Sequence, residues 1–423
     1  MTPASRRTFL KTSAATVAAS AVLLPGAHAG GNDTLRVGLV GCGGRGTGAA
    51  KNALLADPKV KLVAMCDAFM DRLQGSLADL KKIKAVADKI DVAPDHCFDG
   101  FDGYQKLLNS GVDVVLLCTP PGFRPQHLRA AVEAGKHVFC EKPVAVDATG
   151  VRSVIETARL AKEKNVSLCS GFCYRYDHGK RETVKRIHDG MIGDVAAMHI
   201  TYLTSPLWHR GADAKWSEME YQMRNWYYYT WLSGDFIVEQ HCHNFDKAAW
   251  VFKGEMPVAC TGVGGRQVRT DPKYGHIYDH FSVAFEYKSG AKLFSTCRQM
   301  AGCTGDVNDH VMGTKGSAQL MRHAITVPGA GGWELNEAGY KDMYQVEHDE
   351  LFAGIRAGKF INDGESAAYS TLMAILAREA AYTGKRITWK DMAASKQDLS
   401  PKAYAWGPNP VGGVPMPGVY QIG

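Results

Sequence analysis

The sequence predicts an α/β domain on a parallel, doubly wound sheet, followed by an α+β domain on a large, mostly antiparallel open sheet. Three observations predict it. Strand-like and helical runs alternate from residue 34 to 171, the pattern of a parallel sheet with helices on both faces. Strand-like runs with no helix between them recur within residues 172–390, as antiparallel pairing requires. The 423 residues are also too many for one small core. Residues 391–423 form a tail. Packing of C-terminal helices near 343–384 back onto the first domain stays open.

The composition is that of an ordinary globular chain, with 45% apolar and 22% charged residues. The formal charge is +6, but three cations, Arg6, Arg7 and Lys11, fall in the first 29 residues, and without them +3 remains. That excess is too weak for nucleic acid, and no Lys/Arg-rich block supports such a partner. After the N-terminus no apolar run is long enough to span a membrane. The eleven cysteines are odd in number and lack CxxC spacing. Several sit in apolar runs such as "KLVAMCD" and "DVVLLCTPP", where cysteine behaves as a small buried hydrophobe. They do not form the disulfide framework expected of a protein that folds outside the cell.

Residues 1–29 predict export. "SRRTFLK" is followed by the moderately apolar "TSAATVAASAVLLP" and by small residues at Ala27 and Ala29, the layout of a signal peptide. The paired arginines resemble a twin-arginine signal. That route carries folded proteins, which agrees with the cysteines. The expected location is periplasmic or otherwise exported, with the twin-arginine machinery as a partner.

The first domain opens on "LRVGLVGCGGRGTGAAKNALLA", which reads as strand, glycine turn and helix. Gly41, Gly43 and Gly46 match GxGxxG, with Gly44 and Arg45 inside the loop. Gly41 permits the turn, Gly43 lets a pyrophosphate approach the backbone, and Gly46 lets helix and strand pack closely. The strand "VKLVAMCD" then ends at Asp67, 21 residues after Gly46. An acid there suits two free ribose hydroxyls and repels a 2′-phosphate, so NAD is expected over NADP. Arg45 could pair with pyrophosphate or reach a 2′-phosphate. The domain is thus a Rossmann-type dinucleotide-binding one. Ligands sit at the carboxyl ends of such strands, where Thr119-Pro120 and Glu141-Lys142 lie.

The glycine loop, "CTPP" and above all "AGKHVFCEKPVA" resemble the Gfo/Idh/MocA oxidoreductases. The similarity runs through nearly the whole chain after the leader, including "NDGESAAYSTLMAILAREAAYTGK". It implies a cofactor site of Gly41, Gly43, Gly44, Arg45, Gly46, Asp67, Thr119, Pro120, His127, Glu141 and Lys142. It also implies that the second sheet closes over the nicotinamide and packs against a partner subunit, giving a homodimer or homotetramer.

"SGDFIVEQHCHNFDKAAW" carries the expected chemistry. On one helix Glu239 and His243 share a face, being four apart, while His241 points elsewhere. A metal set of Glu239, His241 and His243 would need the i, i+2 histidines to converge, which a strand allows and a helix does not, so no metal is expected. The family has an acid four residues before a histidine here, usually Asp; this chain has the longer Glu239. Oxidising a secondary alcohol sends a proton to a base, expected to be His243. Lys142 is expected to hydrogen-bond the reacting oxygen. Glu239 orients the histidine or binds another hydroxyl. Tyr174 and Arg175 of "GFCYRYD" match a family segment lining the site, where this chain has His178 in place of a frequent proline. Aromatics crowd residues 202–231. Trp208 and Trp226 are candidates to stack on a sugar ring, with a core or subunit-contact role equally open.

The sequence therefore predicts an exported oxidoreductase acting on a secondary hydroxyl or keto group of a sugar, glycoside or cyclitol, with NAD held tightly. The alternative is a glycosidase that oxidises transiently, eliminates and re-reduces with the same NAD. Retention of Lys142 argues against the branch of that class that replaces this lysine.

Overall fold

Six parallel strands lie in the order β3-β2-β1-β4-β5-β6. They are β1 (Leu35–Val40), β2 (Val60–Asp67), β3 (Cys97–Asp99), β4 (Val114–Leu117), β5 (His137–Cys140) and β6 (Leu168–Ser170). The computed structural model describes residues 33–336 and 338–423. The leader lies outside the described residues, and the chain divides after Thr34, with Leu35–Gly423 forming one unit.

The strands are apolar on both faces because helices cover both. In β4, Val114 and Leu116 enter one core while Val115 and Leu117 enter the other. The first core receives Ala49, Ala53 and Leu54 of the helix Gly44–Ala56, together with Leu351 and Phe352 of Met343–Ala357. A late segment of chain thus closes one face of the first sheet. Arg356 fixes its end by pairing with Asp57 at 2.8 Å.

The second sheet has nine strands in the order β14-β13-β12-β11-β7-β10-β9-β8-β15. Its centre is β7 (Val195–Thr204), β8 (Ala259–Gly265), β9 (His280–Glu286), β10 (Lys292–Gln299) and β11 (Asp306–Gly313). The remaining strands are β12 (Ser317–Gln319), β13 (Ala324–Val327), β14 (Gly331–Glu334) and β15 (Ile387–Thr388). All pairs are antiparallel except β7 with β10. The strand-like stretch "DVNDHVMGTKGSAQL" divides into β11 and β12, which pair with each other.

The helix Gly364–Thr383 joins the two halves. It packs on the helix Ala148–Glu163 and on β8, and is buried over nearly its full length. Its many alanines favour helix and leave room for close neighbours on every side. Its one arginine, Arg378, is fully buried, donating to the carbonyls of Val146 (2.8 Å) and Gly234 (3.0 Å) and pairing with Glu379. All eleven cysteines are free, and eight of them are buried. No described helix is long and apolar enough to cross a membrane.

Candidate active site

The glycine loop is fixed by sterics. Gly41 has φ +96°, and a Cβ on it would lie 2.5 Å from the Thr119 nitrogen. A Cβ on Gly46 would lie 1.9 Å from the Gly41 oxygen. Neither position admits a side chain. A Cβ on Gly43 or Gly44 would instead enter open space. That space is a cavity of about 390 Å³ bounded by the glycine loop, Asp67, Thr119, Pro120 and His127. The backbone at the start of the helix Gly44–Ala56 faces it, as an anionic pyrophosphate requires.

Asp67 closes β2. Its carboxylate accepts from the Cys42 nitrogen at 2.7 Å and the Phe69 nitrogen at 3.1 Å. Burial raises its pKa, against the pull of those two donors. His127 stacks on Tyr104 with centroids 4.2 Å apart and has Thr119 Oγ1 at 3.4 Å from Nδ1. Burial, helped by Arg124, lowers its pKa to about 3, so it is neutral.

The Arg45 guanidinium pairs with Glu141 and, at 2.6 Å, with Glu347 on the helix Met343–Ala357. It also lies over the Tyr344 ring, 4.7 Å from the centroid. Arg45 borders the cavity, and there its guanidinium is engaged by Glu141 and Glu347. Glu141 is correspondingly engaged by protein: it takes Arg45 and the Lys142 backbone N–H at 2.9 Å. Glu347 carried no sequence signal, because its partner lies 302 residues away.

Lys142 follows β5. Its ammonium donates to the Glu239 carbonyl at 2.7 Å and to Glu239 Oε1 at 3.0 Å. Burial acts to lower the lysine pKa, but the Glu239 charge overcomes it and raises the value. The other Glu239 oxygen, Oε2, is buried without a protein partner.

The expected single helix carrying Glu239 and His243 is not formed. Two helices, Phe236–Glu239 and Cys242–Val251, meet at a break through Gln240 and His241. The Glu239 carbonyl, which a continuous helix would give to the His243 N–H, accepts from Lys142 Nζ and from the Cys242 thiol instead. His243 stands edge-on to Tyr174, with centroids 5.1 Å apart, and to Phe172 at 6.0 Å. Its Nδ1 is buried with no protein partner. Burial first, then the charges of Lys142, Lys247 and Arg45, hold its pKa well below that of free histidine. It is a neutral acceptor. His241 points away, to Ser295 Oγ at 2.7 Å in the sheet.

Arg175 does not face the reacting groups, because Asp246 chelates it with contacts of 2.9–3.1 Å and Trp250 covers it. Trp208 and Trp226 border the cavity that the glycine loop and Asp67 also line, together with Arg210, Met223 and Arg224. Tyr174 does adjoin His243, and its ring also meets the buried Lys247 ammonium at 4.4 Å.

The fold and this site define an NAD-dependent oxidoreductase acting on CH–OH groups. The chain belongs to the Gfo/Idh/MocA family: residues 35–172 match the model described as the oxidoreductase family, NAD-binding Rossmann fold, and residues 181–319 match the GFO/IDH/MocA C-terminal domain. An inositol 2-dehydrogenase of Rhizobium meliloti is 27% identical over 76% of this chain and 86% of its own. A scyllo-inositol 2-dehydrogenase (NAD(+)) of Bacillus subtilis is 24% identical over 77% of this chain and 87% of its own. Among solved structures, an aldose-aldose oxidoreductase of Caulobacter crescentus superposes with a TM-score of 0.64 at 18% identity, covering 84% of this chain and 99% of its own. A levoglucosan dehydrogenase in complex with NADH and levoglucosan also gives 0.64 at 18% identity, over 84% of this chain and 99% of its own.

Proposed function

We propose that the protein oxidises or reduces a secondary hydroxyl or keto group of a sugar, glycoside or cyclitol, and works outside the cytoplasm with an NAD that stays on the enzyme. One observation carries the chemical part. The buried Lys142 ammonium, gripped by Glu239, lies just past the cofactor-domain strand β5 and close enough to a neutral His243 to lower its pKa, and Glu239 Oε2 and His243 Nδ1 have no protein partner. Buried polar atoms are normally satisfied, and a polyol supplies donors and acceptors for both. The polyol substrates named for the inositol and levoglucosan dehydrogenases agree with such a site.

In this reading the bound nicotinamide supplies or accepts hydride. Lys142 donates a hydrogen bond to the substrate oxygen and steadies its developing charge. His243 takes the hydroxyl proton in oxidation and returns it in reduction. Glu239 keeps the lysine charged and offers its second oxygen to a neighbouring hydroxyl. The purified protein, offered a panel of sugars, glycosides and cyclitols, is expected to change nicotinamide absorbance and yield a keto product. Release of free sugar from a glycoside with no net redox change would identify the glycosidase alternative.

Export rests on "SRRTFLK" and the small residues at Ala27 and Ala29. The Arg6→Lys, Arg7→Lys double variant is expected to stay in the cytoplasm, and its normal export would overturn the route. Captivity of the cofactor follows from that route, since a compartment without a nicotinamide pool cannot replace a molecule that dissociates. The protein should therefore keep its nicotinamide through gel filtration and turn over without added NAD.

A further inference from the structure

The cavity is walled from two sides. Asp67, which ends β2, and Phe69 and Phe101, which follow β2 and β3, come from the first domain, whereas Trp208, Met223 and Arg224 come from the chain between β7 and the Phe236–Glu239 helix. Asp67 marks the adenosine ribose end of a Rossmann site, so the second set faces the adenosine half. Arg224 spans the gap. Its guanidinium lies 4.0 Å from the Phe69 centroid and 3.1 Å from Asp71 Oδ2, both on the first domain, and 2.9 Å from Glu220 on its own helix.

A second element fastens the same seam. The C-terminal tail lays Trp406 on Phe101 (centroids 4.7 Å apart) and Phe69 (5.4 Å). The next residues of the tail grip the helix Glu218–Arg224. The Gly407 carbonyl accepts from the Met219 nitrogen at 3.1 Å, and Asn409 exchanges hydrogen bonds with Gln222 (2.5 and 2.8 Å) and donates its backbone N–H to Glu218 (2.8 Å). Trp406 therefore touches the aromatic rings beside the cavity while its neighbours hold the helix that carries Met223 and Arg224. The two family domains end at residue 319, and this tail lies beyond them.

We infer that Arg224 and Trp406 form a two-part clamp over the adenosine half of the cavity and set how slowly the dinucleotide leaves. The inference deepens the captive-cofactor reading and rests on it. Release requires the helix Glu218–Arg224 to lift from Phe69, and both the cation–aromatic contact of Arg224 and the tail hold it down. Neither residue adjoins Lys142 or His243, so the clamp controls retention and not the reacting groups.

The test is the dissociation rate of NADH from the loaded full-length chain, followed by fluorescence after mixing with excess NAD. Arg224→Gln and Trp406→Ala are each expected to speed release by roughly tenfold, the effect of losing one such contact. Trp406→Phe, which keeps an aromatic face, should stay near the unmodified rate. Two variants on different segments guard against one failing to fold, which circular dichroism checks. Release rates for both Arg224→Gln and Trp406→Ala within twofold of the unmodified chain would overturn the clamp. An unmodified chain that loses its cofactor on gel filtration would count against captivity, while the ratio of rates would still decide whether the clamp exists.

Discussion

The Lys142 ammonium lies 3.0 Å from Glu239 Oε1 and 2.7 Å from the carbonyl of the same residue, so one glutamate holds the lysine twice. A buried ammonium favours its neutral form unless a carboxylate opposes that. Here burial lowers the lysine pKa, Glu239 more than restores it, and the net shift is upward. Glu239→Gln removes the charge and leaves burial unopposed. The variant's lysine should lose its proton nearer neutrality, giving an alkaline fall in kcat that the unmodified enzyme lacks below about pH 10. Rates measured from pH 6 to 10 decide this, and superimposable profiles would sink the assignment. Lys142→Met, which cannot hydrogen-bond the substrate, should lose roughly 10²–10⁴-fold at every pH.

His243 should leave no mark on the acid side of the profile. A free imidazole gains a proton near pH 6.5, but burial and the charges of Lys142, Lys247 and Arg45 hold this one well below that. It stays neutral, and able to accept a proton, through the physiological range. We expect kcat/KM to be flat from pH 8 down through 6, and His243→Ala to lose roughly 10²–10⁴-fold in kcat. An acid limb centred on pH 6.5 that vanishes in His243→Ala would show that the histidine titrates normally.

Asp67 should set cofactor choice. Its carboxylate is held at the end of β2 by two backbone donors, and Arg72 and Arg210 line the same cavity. The arginines already offer positive charge, so the acid is the feature that repels a 2′-phosphate. Asp67→Ser is expected to raise the NADP-to-NAD ratio of kcat/KM by roughly 10- to 100-fold, equivalent to about 1.4–2.7 kcal/mol. Titrating both cofactors against the variant checks it. An unchanged ratio, or an unmodified enzyme purified with NADP, would overturn the role.

What could be read from the sequence was local. Gly41, Gly46 and Asp67 lie within one strand–turn–helix–strand unit, where spacing and sterics decide the geometry. Lys142 was legible because it lies just past a strand of a parallel sheet. Spacing misled at Glu239 and His243, because the carbonyl that would continue the helix is drawn to a lysine 97 residues away. The pairing of Arg45 was hidden for the same kind of reason, since its partner Glu347 reaches it only through the packing of a late helix on the glycine-loop helix. Trp208 and Trp226 were seen as aromatic, but which cavity they border depends on how the second domain meets the first. Trp406, in a tail with no periodic pattern, gave no signal at all.

His348 is fully buried, its ring 4.4 Å from that of Phe139 and its Nδ1 2.9 Å from the Tyr344 carbonyl. Burial, with Arg45 nearby, lowers its pKa to about 3. In the unfolded chain the same imidazole takes a proton near pH 6.5. The folded value is the lower one, so its contribution is complete above pH 6.5 and is lost as pH falls toward 3. Over that window the slope is about 1.4 kcal/mol per pH unit, or about 2 kcal/mol between pH 6.5 and 5. Asp235 acts in the opposite sense: burial raises its pKa to about 6, so protonation below that value favours the folded state. A bare acid titration of the protein would mix such terms, and a difference measurement separates them. His348→Phe keeps an aromatic ring against Phe139 and removes the titration. Its urea-unfolding free energy should therefore fall less between pH 6.5 and 5 than that of the unmodified protein, by about 2 kcal/mol, whatever the variant costs at pH 7. Equal losses in the two proteins would show that His348 carries no such linkage.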